Sequence, residues 1–194
     1  MLKKQKRIVL YSLSMLSVVL LGCEKPKEVE ELKESKTLTV DATAYDKWVY
    51  VSFKDAKTVE ITDYQNDLSW DMALHRYDVR LNGGLSGKGK GAALETSYTE
   101  LSALTEIPAA GYTTDVMDSI MLAMPPVYDA QPFNKEASKW MSFDLSIMPP
   151  VYQMSDKVFV FKTAEGKHVK IKFIDYINAE NIKGHIKFTY VFMD

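Results

Sequence analysis

One cysteine, three histidines and nine glycines in 194 residues are scarce, and each scarcity removes a class of chemistry. The lone cysteine, Cys23, excludes an intrachain disulfide framework and a thiolate metal cluster. His75, His168 and His185 lack the close spacing of a zinc site, and their strand positions predict surface or hydrogen-bonded structural roles. There is no Gly-x-Ser-x-Gly elbow, no phosphate loop ending in Lys-Ser or Lys-Thr, and no convincing pair of carboxylates, so the chain is not expected to be an enzyme. Long apolar runs are missing as well. Residues 8–22 hold 15 mostly apolar positions, short of the roughly 20 that span a bilayer.

That short run follows Lys3, Lys4, Lys6 and Arg7, the pattern of a signal peptide over residues 1–22. It ends in Leu20-Leu21-Gly22-Cys23, which resembles a bacterial lipobox, with Cys23 cleaved on its amino side and acylated. Residues 23–37 are polar and poor in core-forming side chains, as expected of a lipid-anchored flexible tether. Glu24 resembles the acidic outer-surface export signal of Bacteroidetes-type bacteria, which implies an outer-membrane, cell-surface location and leaves periplasmic retention and release as a soluble form open. Loss of the four basic residues leaves 20 basic against 26 acidic residues, a formal charge of −6, which argues against nucleic acid as a partner.

Residues 38–194 are enough for a single domain with its own core. Alternation of period two recurs: Trp48, Tyr50 and Ser52 against Val49, Val51 and Phe53, then Trp70, Met72 and Leu74 against Asp71, Ala73 and His75. Towards the end, Val169, Ile171 and Phe173 alternate with His168, Lys170 and Lys172, and Ile186, Phe188, Tyr190 and Phe192 make one apolar face. With a further strand over residues 157–163 and turns at Asn82-Gly83-Gly84, Glu165-Gly166 and Lys183-Gly184, the pattern predicts an all-β fold of antiparallel sheets packed face to face. Residues 134–141 and 113–123 show helical leanings.

Met-Pro-Pro-Val-Tyr occurs twice, at 124–128 and 148–152, between strand-like runs. Proline fixes its own φ and restricts its neighbour, so each methionine sits on a stiff segment that loses little freedom on meeting a ligand. Thioether sulfur is an axial ligand for haem iron, and one methionine on each face would hold the ring without a covalent link. The same loops can also be rigid connections whose methionines fill gaps in the core.

The stretch from Trp70 to Gly84, the glycines of Ser86-Gly87-Lys88-Gly89-Lys90-Gly91-Ala92, the Met-Pro-Pro-Val-Tyr loop and the run from Lys157 to Lys167 together resemble the HmuY family of haem-binding surface lipoproteins, over roughly residues 40–194 and including the lipobox. The resemblance implies long loops that clamp one haem, taken from host haemoproteins and handed to a TonB-dependent outer-membrane receptor for iron acquisition in virulence. The family's founding member uses two histidines, whereas residues 115–152 here contain none. Paired methionines replace them in this expectation: Met148 as one ligand, Met124 as the other, Met121 as the alternative to Met124 if its segment forms a helical turn, and Met117 as a distant third. Tyr128, Tyr152, Trp140 and Phe143 are the candidate pocket walls, and Arg76 or Arg80 could neutralise a propionate or else pair with Asp71 or Asp78. The alternative function is a surface β-sandwich lipoprotein that binds glycan or host protein, with the Met-Pro-Pro loops purely structural.

Overall fold

The computed structural model describes residues 33–144 and 146–194, so the expected signal peptide, Cys23 and most of the tether lie outside the described residues. A five-stranded sheet runs in the order β1 (Lys36–Asp41), β13 (Lys183–Phe192), β12 (His168–Ile177), β11 (Phe159–Lys162), β6 (Ala92–Glu95). A four-stranded sheet runs β3 (Lys57–Val59), β2 (Val49–Ser52), β4 (Met72–His75), β5 (Asp78–Leu81). Two separate ribbons complete the fold, β7 (Val116–Ala123) with β8 (Val127–Phe133) and β9 (Met141–Asp144) with β10 (Val151–Met154). Among the described residues every ladder between strands is antiparallel.

Alternation explains the long strands. Val169, Ile171 and Phe173 of β12 and Ile186, Phe188, Tyr190 and Phe192 of β13 turn into one core with Val51 of β2, Phe53 just after it, Met72 and Leu74 of β4, and Val79 and Leu81 of β5. Each such side chain contributes about 1.5–3 kcal/mol when removed from water. The inner faces of both sheets meet in this cluster, as the pattern predicts. β4 departs from alternation, since Met72, Ala73, Leu74 and His75 are all buried. It pairs with β2 on one side and β5 on the other.

Polar groups tie the sheets together. The Asp71 carboxylate accepts from Phe53 N (2.9 Å) and Ala164 N (2.9 Å), linking the two sheets through backbone donors. Neither arginine pairs with it. Asn82 is held by donating to Asp67 O (2.8 Å) and Trp70 O (2.9 Å), and the glycine loop folds over it, Gly91 N donating to Asn82 O at 2.7 Å. A Cβ at Gly91 would sit 2.6 Å from the Asn82 backbone, so these glycines serve close packing in a tight loop.

Two expectations need correction. Residues 113–123, with helical leanings in the sequence, contain strand β7, because β8 returns beside it after the Met124–Pro126 turn. Lys183-Gly184 is no turn but the start of β13; the chain reverses over residues 178–182, where Ile182 O accepts from Asn178 N at 3.1 Å. The helical leaning at 134–141 is realised as the single turn α1 (Lys135–Ser138), capped by Asn134, whose side chain accepts from Ala137 N at 2.8 Å.

Candidate functional site

Both copies of Met-Pro-Pro-Val-Tyr fall at the ends of ribbons. Met124, Pro125 and Pro126 turn β7 into β8, while Met148, Pro149 and Pro150 lead into β10, and in each copy Val-Tyr begins the returning strand. Both Met–Pro bonds are cis. The segments expected to clamp a ligand as loops therefore take the form of two hairpins.

The hairpin ends share a cleft of about 610 Å3. Its lining includes Met121, Met124, Tyr128 and Ile120 from one ribbon, Phe143, Met148, Pro150 and Tyr152 from the other, and Tyr45, Arg76, Tyr77 and Asp78 from the body. The size lies within the roughly 300–1,000 Å3 of small-molecule and cofactor sites. Met148 and Met124 are 80% and 61% exposed, so neither sulfur is spent on filling the core. Met121 is half-buried on β7 opposite Tyr128, in a strand rather than a helical turn. Met117, also exposed, lies outside the lining.

Aromatic rings build one wall. Tyr77 packs against Phe143 (5.3 Å between centroids), Tyr152 (5.5 Å) and Tyr176 (6.2 Å), and Tyr152 stacks on Tyr176 at 5.6 Å with 7° between the planes. Phe143 and Tyr152 face each other across the β9–β10 ladder. The Tyr77 hydroxyl is buried without a hydrogen-bond partner among the described residues, and burial pushes it above the usual tyrosine range. Trp140, expected as a wall, is fully buried instead: it stacks on Phe173 at 4.4 Å and donates to Tyr77 O at 2.9 Å, supporting the cleft from behind.

The two arginines separate. Arg80 is enclosed, its guanidinium 4.0 Å from the Trp48 ring centroid and 4.5 Å from that of Tyr64. It donates to Pro132 O (2.8 Å), Gln131 Oε1 (3.3 Å) and the Tyr50 hydroxyl (3.4 Å), which fastens β8 to the body and keeps Arg80 away from the cleft. Arg76 instead lines it. Neither makes an ion pair with Asp78, whose carboxylate lies 3.5 Å from His75 Nδ1. Arg76 occupies the two-residue turn between β4 and β5 with φ 54°, a left-handed conformation that costs a residue with a Cβ about 1–2 kcal/mol.

The histidines take structural positions. His75 is buried, its Nε2 2.7 Å from Tyr45 O, and His168 pairs with Asp194 (3.1 Å) beside the Tyr112 ring. None of the three lines the cleft. Sequence reasoning missed Tyr45, Tyr77 and Tyr176. The visible signal for Tyr77 was the Arg76-Tyr77 pair interrupting two alternating runs, a place where a hairpin usually carries glycine or asparagine.

A model of the HmuY protein family matches residues 44–190. Among solved structures, the fold resembles a Bacteroides vulgatus protein assigned as HmuY-like and heme-binding, with 34% identity, 82% of this chain and 92% of that one covered, and a TM-score of 0.70. A Bacteroides fragilis protein assigned as a lipoprotein shares 33% identity over 82% of this chain and 91% of its own, with a TM-score of 0.70. The apo HmuY analog of Tannerella forsythia shares 28% identity over 84% and 99%, with a TM-score of 0.68. No curated protein matches. This chain, with its paired hairpins and thioether-lined cleft, belongs to the HmuY family.

Proposed function

We propose that the protein binds one haem in the cleft between the two hairpins, the iron held by Met148 on one face and Met124 on the other, with Met121 as the alternative to Met124. The observation that carries this reading is the meeting of three thioethers from two separate ribbons on one aromatic-walled cleft. Soft sulfur suits haem iron, and apolar walls suit the porphyrin plate. Tyr152, Phe143 and Tyr128 line the ring's slot; Trp140 acts from behind, through Tyr77. The haem is cargo. It comes from host haemoproteins and passes to a TonB-dependent outer-membrane receptor, with Cys23 anchoring the protein to the outer membrane at the cell surface. A relative assigned as heme-binding supports the ligand, and one assigned as a lipoprotein supports the lipid anchor.

Titration of the purified protein with haemin, followed at the Soret band, tests it. A saturable shift at one equivalent that disappears in the double variant Met124→Ala, Met148→Ala supports the reading. A featureless titration contradicts it and leaves a surface β domain for glycan or host protein.

A further inference from the structure

Among the described residues, Arg76 is a cation without a counter-ion at the edge of an apolar cleft. Its Nη1 donates to Thr43 O (2.7 Å) and Lys183 O (3.4 Å), both neutral carbonyls. Its Nε is shielded from water and has no partner, and its Nη2 has no hydrogen-bond partner among the described residues. No carboxylate lies within ion-pair distance of the guanidinium among the described residues; Asp78, in the same lining, is turned towards His75. Tyr45 and Tyr77 hold the guanidinium in place, 4.6 and 5.4 Å from their ring centroids.

The surroundings are shaped around this group. A Cβ at Gly184, which has φ +101°, would come within 2.7 Å of Arg76 Nη1, so the glycine leaves the space that the guanidinium fills. Strained backbone at a cleft is a recurring mark of a functional side chain. Lys183 adds a second cation nearby, its Nζ 3.8 Å from the Tyr152 ring centroid. An arginine whose Nη1 is committed to carbonyls and whose Nη2 is unspent keeps a charged donor for a ligand carboxylate.

Resting on the haem reading above, we infer that Arg76 is a specificity-determining residue: its Nη2 binds an acidic substituent of the planar ligand, so the cleft selects porphyrins that carry free carboxylates and orients the acid edge towards the turn between β4 and β5. A charge-assisted pair of this kind is worth about a ten- to hundredfold change in affinity.

The experiment compares haemin with haemin dimethyl ester, each titrated against the wild-type protein and against R76Q and R76K, by Soret shift and by quenching of intrinsic fluorescence. Wild type should bind the diacid at least about tenfold more tightly than the ester. R76Q should lose most of that preference, its affinity falling further for the diacid than for the ester, and R76K, which keeps the charge, should fall between. Equal affinity of wild type for acid and ester overturns the inference without any need for a variant, as does an R76Q defect of the same size for both ligands. If neither compound shifts its Soret band with wild type, the haem reading itself fails, a result distinct from binding without discrimination.

Discussion

Met124 and Met148 have the same Pro-Pro-Val-Tyr sequel, yet their roles are separable by measurement. Met148 is alone on its ribbon in the cleft, whereas Met124 has Met121 three residues away in the same lining. Met148→Ala should therefore abolish the low-spin spectrum of the haem complex, while Met124→Ala weakens binding less if Met121 moves in. A double variant lacking Met121 and Met124 would show that substitution directly. Thioether sulfur favours ferrous iron relative to imidazole, so dithionite reduction should tighten binding. Equal or weaker affinity after reduction would count against sulfur ligation. Both methionines were legible as candidates because a repeated pentapeptide stands out in any composition. Trp140 was not legible as core: an isolated tryptophan near the motif gives no clue that it stacks on Phe173, 33 positions further along.

At the scale of elements, the two ribbons differ in how they join the body. Met141, Tyr152 and Met154 of β9–β10 pack on the main core, so changes there disturb the fold. The far half of β7–β8 takes no part in that cluster, and its base is fastened by Arg80 to Gln131 and Pro132 and by an ion pair between Lys135 and Asp118. Replacing residues 120–129 with Asn-Gly, a two-residue turn, should thus remove haem binding while lowering stability by only about 1–3 kcal/mol, mostly the burial of Ile120. Circular dichroism and urea unfolding check the fold, and the Soret titration checks the binding. The long strands β12 and β13 were legible because one face is core and the other polar. β7 was hidden because Met117, Ile120 and Met121 share a spacing that also suits a helix, and only pairing with β8 decides between them.

Across the whole molecule, pH acts on stability and on binding through different groups. Burial pushes the Asp115 carboxyl up to about 6, despite donors at Leu81 N (2.9 Å), Ser86 Oγ (2.6 Å) and Asn134 Nδ2 (3.0 Å). Asp71 is raised in the same direction by the same cause. Because these carboxyls hold protons more tightly when folded than the ordinary value of 3.8, their effect is to raise stability as pH falls from about 6 towards 4 and to lower it as pH rises through that window. Asp115→Asn should flatten the part of this slope that Asp115 supplies, read as urea midpoints at several pH values; an unchanged slope would contradict a raised carboxyl. Ligand binding should follow another course. Thioethers do not titrate and no histidine lines the cleft, so haem affinity should change less than about threefold between pH 7.5 and 5.5. The face-to-face sheets were readable from alternation alone, but the meeting of two hairpins on one cleft was not, because it depends on contacts between residues far apart in the chain. X-ray absorption at the iron edge of the reduced haem complex tests that convergence most directly: two sulfur neighbours beyond the porphyrin nitrogens are predicted, and a first shell of nitrogen and oxygen alone would contradict it.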